Sequence, residues 1–160
     1  MEPRGRILWT DDEPGRFGFA AWELRDAGWT IDWAEDVQTA AQKLSKERYD
    51  ALIVDQMLPF EPEDVADRYW GGCLLLRWLR GAPSPEKAPV AEARQKEVLG
   101  RRTPRAENVH LPALVVSAFY DPDVVDATRS ASPQDHEIAF VDKPVDVDEV
   151  RRILERTRPG

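Results

Sequence analysis

The sequence predicts an α/β fold: a doubly wound, five-stranded parallel sheet with helices on both faces. Short apolar runs alternate with amphipathic stretches along the chain, the pattern of strand–helix–strand units joined by right-handed crossovers. The most apolar run, "ALIV" at 51–54, lacks the alternation of a half-exposed strand and reads as buried on both sides. Acids, glycine and proline follow the runs closely and mark their ends.

Residues 6–10 (RILWT) are strand-like and stop at Asp-Asp-Glu-Pro-Gly. Residues 16–27 then place Phe17, Ala20, Ala21 and Leu24 at helical spacing, with Gly28 as the stop. Trp29 to Ala34 alternates as a second strand. Asp36 caps a second helix through about Arg48, with Val37, Ala40, Ala41 and Leu44 on its inner face. Residues 51–55 form the third strand, Gly72 to Arg80 the third helix and Leu114 to Ser117 the fourth strand. Asp121 to Arg129 is a fourth helix, Ile138 to Val141 a fifth strand, and Val147 to about Arg156 the last helix.

Two stretches break this rhythm. Residues 60–71 (FEPEDVADRYWG) delay the third helix, and residues 81–112 form a long connection with five prolines. Connections in α/β units usually take about 2–6 residues. Its prolines and mixed charge make the 81–112 segment a poor core element. It reads either as a flexible, solvated loop or as a short helix over Ala91 to Leu99 that ends at Gly100. Between 86 and 105 it holds six basic and three acidic residues, so Arg94, Lys96, Arg101, Arg102 and Arg105 form a candidate surface for an acidic partner.

Composition narrows the function classes. With 42% apolar and 32% charged residues in 160, the chain suits one soluble globular domain. A net charge of −8 argues against general nucleic-acid binding. No apolar run approaches the ~20 residues of a membrane span, and the N-terminus lacks a signal-peptide pattern. The lone Cys73 cannot form an internal disulfide and reads as a small buried apolar residue in a reducing cytoplasm. His110 and His136 are isolated and read as surface or loop residues. The six tryptophans read as filling core and interface space.

In a parallel sheet, ligands bind at the edge where the strands' C-terminal ends lie. Strand one ends there in Asp11 and Asp12, strand three in Asp55, strand four in Ser117 and strand five in Lys143-Pro144. Three carboxylates so close would repel and raise one another's pKa unless a cation neutralised them. Oxygen ligands without His or Cys favour Mg²⁺, which welcomes phosphate oxygens. Lys143 offers a positive charge, and Ser117 a donor, to an acyl phosphate.

The stretches "ILWTDDEP", "ALIVDQMLP", "LVVSAF" and "FVDKPV", in this order on the strand ends, resemble the receiver domain of two-component response regulators. The resemblance covers about residues 5–58, 71–80 and 113–157. It implies a flavodoxin-like strand order of 2-1-3-4-5. It also implies that Asp55 is the phosphate acceptor, and that Asp11, Asp12 and Asp55 hold Mg²⁺ with the backbone carbonyl of Met57. Ser117 would be the switch hydroxyl, Phe140 the switch aromatic and Lys143 the phosphate-pairing lysine, with Pro144 at the family's cis-peptide position.

The implied partners are a histidine kinase or phosphotransfer protein as donor, and a downstream protein. The latter would be reached through the fourth helix, fifth strand and fifth helix, or through the 81–112 insertion; neither nucleic acid nor membrane is expected. The protein would catalyse its own phosphorylation and hydrolysis without being a conventional enzyme. Residues 1–160 are expected to form a single stand-alone receiver domain, with insertions at about 60–70 and 81–112 and no output domain. The alternative is a pseudo-receiver, an interaction module that keeps the fold but is not driven by phosphate. A phosphatase of the haloacid dehalogenase type needs Asp-x-Asp, whereas Met57 stands two residues after Asp55 and Pro14 two after Asp12.

Overall fold

In the computed structural model the apolar runs pair as five parallel strands in the order β2-β1-β3-β4-β5. The structure describes residues 3–62, 70–83, 85, 92–118, 120–131 and 138–157. The strands are β1 (Gly5–Thr10), β2 (Trp29–Ala34), β3 (Ala51–Asp55), β4 (Ala113–Ser117) and β5 (Ile138–Asp142). The helices are α1 (Gly18–Asp26), α2 (Val37–Lys46), α3 (Gly71–Arg80), α4 (Glu92–Val98), α5 (Pro122–Arg129) and α6 (Val147–Thr157). Thus α5 and α6 are the fourth and fifth helices of the sequence reading, and α4 is the extra one.

Strand alternation divides the interior into two cores. Leu8, Leu52, Val54 and Val115 face the layer of α2, α3 and α5. Ile7, Trp9, Ile53, Leu114 and Val116 face α1 and α6. All of β3 and β4 is buried, so both apolar faces of these strands are covered. Among the described residues, no helix is long and apolar enough to cross a membrane.

The first helix differs from its expected span of 16–27. Pro14–Phe17 is a 3₁₀ turn and α1 starts at Gly18. Proline without an amide suits the first position of such a turn. Gly28 does end the element, at φ +108°. The tryptophans divide: Trp9, Trp29 and Trp70 are buried, but Trp22 is 61% exposed beside Phe19, itself 71% exposed. Cys73 is buried and His110 exposed, while His136 lies outside the described residues.

The 81–112 connection is not the poor core element its composition suggests. It forms α4, and Val98, Leu99 and Leu111 bury themselves in the core beside α3. Asn108 is fully buried. It accepts from Tyr49 N at 3.0 Å and donates through Nδ2 to the carbonyls of Leu44 (2.9 Å) and Glu47 (2.7 Å), closing the C-terminal end of α2. Trp78 Nε1 donates to Arg102 O at 3.1 Å, and the Arg80 guanidinium to the carbonyls of Val109 and Leu111.

The basic surface expected on this segment is therefore partly structural. Arg102 donates to Val98 O at 2.8 Å, and Arg105 bonds to Lys46 O and Glu107. The Arg94 side chain lies outside the described residues, as do residues 63–69 of the earlier connection. The described start of that connection caps α2 instead: Val37 N donates to Pro59 O (2.8 Å) and Gln38 N to Phe60 O (3.0 Å). Asp36 takes the amide of Thr39 at 2.6 Å, which completes the helix start expected there.

Candidate functional site

Asp11 and Asp55 leave neighbouring strands at the C-terminal edge, where the chain order of the sheet reverses. β1 and β3 pair with Thr10 opposite Val54. Each acid is then held by the same local device. Asp11 Oδ1 accepts the amide of Glu13 at 2.8 Å, and Asp55 Oδ1 accepts the amide of Met57 at 3.0 Å. A short carboxylate that bonds its own backbone two residues on turns the chain sharply as the strand ends.

The second oxygen of each acid faces the same cation. Lys143 Nζ lies 3.3 Å from Asp11 Oδ2 and 3.3 Å from Asp55 Oδ2. Lys143 comes from the end of β5, where its amide donates to Ser117 O at 3.0 Å, and its peptide bond to Pro144 is cis. Its ammonium also stands over the Phe17 ring, 5.6 Å from the centroid. Asp12 joins the group: one carboxylate oxygen from each of Asp11, Asp12 and Asp55 lies within 4.8 Å of the others.

Burial sets the electrostatics. Loss of water and the charge of Asp11 push the Asp55 carboxyl up to about 6, against the opposing pull of Lys143 and the Met57 amide. Burial works against the Lys143 ammonium, but Asp55 and Asp11 outweigh it and raise its pKa. The single ammonium of Lys143 is shared by Asp11 and Asp55, so it does not balance the charge of both acids. Hard oxygen donors with unbalanced charge fit a divalent cation of the Mg²⁺ type.

Ser117 closes β4 and is buried; its register neighbour Val116 pairs with Asp55. Phe140 lies on β5 opposite Val115 and packs against the α2–α3–α5 core. The seven expected residues therefore gather on adjoining strands: five at the rim with Met57 just beyond Asp55, and Phe140 on β5 behind them. Sequence reasoning missed four others. Phe17 supports Lys143, and Gln56 follows Asp55 as a buried amide with no hydrogen-bond partner among the described residues at either side-chain atom. Gly72 lets α3 approach the end of β3. Tyr120 lies against Phe140. Only Tyr120 carried a signal, as an aromatic three residues beyond Ser117.

No protein-family model matches the chain. A stretch of 54 residues, 34% of the chain, is 41% identical to the transcriptional activator protein IrlR of Burkholderia pseudomallei. That match spans 24% of IrlR, so the chain covers about a quarter of the curated relative's length. Solved structures match over nearly the whole chain. One is the receiver domain of a sensor histidine kinase from Pseudomonas aeruginosa with magnesium ion coordinated in the active site cleft (TM-score 0.63, 20% identity, 95% of each chain). Another is a putative response regulator from Chloroflexus aurantiacus (TM-score 0.62, 23% identity, 96% of this chain and 99% of that one).

The fold is that of response-regulator receiver domains. In this receiver fold the rim just described occupies the C-terminal strand edge at the β1/β3 switch point, where the fold class binds its ligands. The α4 segment and the long β3–α3 connection stand outside the stretches that carry the sequence resemblance.

Proposed function

We propose that the protein is a phosphorylation switch that accepts a phosphoryl group on Asp55 from a histidine kinase or phosphotransfer protein. The observation that supports it best is the sharing of Lys143 between Asp11 and Asp55, with Asp12 completing the carboxylate group. Asp55 is fixed by Met57 N at one oxygen and presents the other toward the rim. That oxygen attacks phosphorus, the P–N bond of the phosphohistidine breaks, and the electron pair leaves with the imidazole nitrogen, which takes up a proton.

Asp11, Asp12, Asp55 and the Met57 carbonyl are the groups that would hold Mg²⁺. When bound, it neutralises charge on the phosphoryl oxygens. Lys143 exchanges its contact with Asp55 Oδ2 for a phosphoryl oxygen, and Ser117 donates to another. Phe140 follows Ser117 inward, and the altered α5–β5–α6 face is read by a downstream protein. In this reading the protein transfers and hydrolyses only its own phosphoryl group, and it works in the cytoplasm, where such donors act.

Beryllofluoride titration with and without Mg²⁺, followed by tryptophan fluorescence, tests the reading. Trp9 packs tilted against Phe17, centroids 5.0 Å apart, and the Lys143 ammonium stands over the Phe17 ring, so the probe is coupled to the site. The expected result is saturable, Mg²⁺-dependent binding in the wild type and none in Asp55→Asn. Wild-type protein that binds beryllofluoride under neither condition would leave the fold as a phosphate-independent interaction module.

A further inference from the structure

We infer that Tyr120 is a latch that holds the unphosphorylated arrangement, tying the connection after Ser117 to β5 and standing in the way of Phe140. The inference rests on the phosphorylation switch proposed above and adds to it a residue that no strand-end motif contains.

Tyr120 lies in the connection from β4 to α5, three residues past Ser117. Its hydroxyl donates to Val141 O on β5 at 2.5 Å, with Val115 O of β4 3.2 Å away, so one phenol reaches carbonyls of both paired strands. Burial and the nearby Asp142 push this phenol up to about 12, which keeps its proton in place. The ring is half-buried on the α2–α3–α5 side, where Phe140 also packs. Tyr120 and Phe140 meet edge to face, centroids 5.7 Å apart at 82°. The Arg129 guanidinium of α5 sits 4.9 Å over the same Phe140 ring. Phe140 is thus held between two groups of the β4–α5 unit, the unit that Ser117 begins.

The consequence is mechanical. A shift of Ser117 toward a phosphoryl group on Asp55 pulls on a connection whose far end is bonded to a carbonyl of β5. Phe140 cannot turn inward while the Tyr120 ring lies against it. The off arrangement therefore owns a hydrogen bond and an aromatic contact that the on arrangement must give up. A group that stabilises only one of two states sets their ratio, and apparent ligand affinity falls with the population of the competent state. Tyr120 touches none of the reacting atoms. It is a positioning residue.

The test is Tyr120→Phe in the full chain, which removes the hydroxyl and keeps the ring. At saturating Mg²⁺, its apparent Kd for beryllofluoride should fall by about fivefold, the scale of one hydrogen bond lost from the off state alone. Its Mg²⁺ affinity without beryllofluoride should stay unchanged, as a merely structural role would not predict. Phe140→Ala provides the second arm: combined with Tyr120→Phe it should give less than the product of the two single effects, because the hydroxyl's bond to Val141 O is what holds the Tyr120 ring against Phe140. An unchanged or weaker beryllofluoride affinity in folded Tyr120→Phe overturns the latch, as do strictly multiplicative effects in the double variant. A wild type that binds no beryllofluoride overturns the phosphorylation reading and the latch with it.

Discussion

Asp55 carries its charge against two opposing influences, burial and the neighbouring Asp11, which hold its carboxyl at about 6 rather than the ordinary 3.8. The folded protein therefore retains a proton that the unfolded chain has already released between those values. Its contribution to stability is fully present below the unfolded value and is lost as pH rises through the folded one. In chelator, denaturant unfolding should show the protein losing roughly 1–3 kcal/mol from this residue between about pH 4 and pH 7. Asp55→Asn should flatten that decline and be at least as stable as the wild type at neutral pH. Identical pH slopes for both proteins would place the cost elsewhere. The same balance explains why an acid ends the most apolar strand: Met57 N and Lys143 hold it in place, and the remaining repulsion favours a cation.

At the scale of elements, the site depends on how closely α3 approaches the end of β3. A Cβ on Gly72 would fall 2.3 Å from Asp55 O and 2.9 Å from Gln56 Cα, backbone atoms that cannot yield alone. Gly72→Ala should destabilise by about 1–3 kcal/mol and weaken Mg²⁺ binding in isothermal titration, because it moves the peptide that carries Asp55. Gly18→Ala is the control: nothing lies within 4 Å of its Cβ, and in a helix it should gain about 0.5–1 kcal/mol. Asn108 plays the corresponding part at the opposite edge. Asn108→Ala strips a buried partner from Tyr49 N and the carbonyls of Leu44 and Glu47. Equilibrium unfolding should record a loss of about 2–4 kcal/mol with the Mg²⁺ site intact. A loss near zero would mean that water reaches these groups.

For the whole molecule, the 81–112 segment, whose composition reads as a poor core element, contributes Val98, Leu99 and Leu111 to the core. Deleting 84–107 removes Val98 and Leu99, each buried, and the Arg105 bonds to the end of α2. Two such side chains are worth about 1.5–3 kcal/mol each, so the deletion should lower the denaturation midpoint sharply rather than leave the protein unchanged. A deleted protein as stable as the full chain would show that α4 is peripheral. The strands and the rim residues were legible in the sequence because each rests on local signals, whereas the strand order came only with the resemblance to receiver domains. Apolar runs, their abrupt ends and the position of an acid or lysine just past a strand survive without knowledge of neighbours. Three features were not legible. The packing of 81–112 depends on Asn108, Arg80 and Trp78 meeting partners tens of residues away, and prolines with mixed charge conceal this. The exposure of Trp22 follows from which side of α1 meets the sheet. Tyr120 gains meaning only where β4 and β5 lie side by side. The sequence by itself determined which residues stand at the strand ends. Only the tertiary structure decided that one lysine is shared by two acids and that Tyr120 lies against Phe140, because contacts between distant segments exist only after the strands have paired.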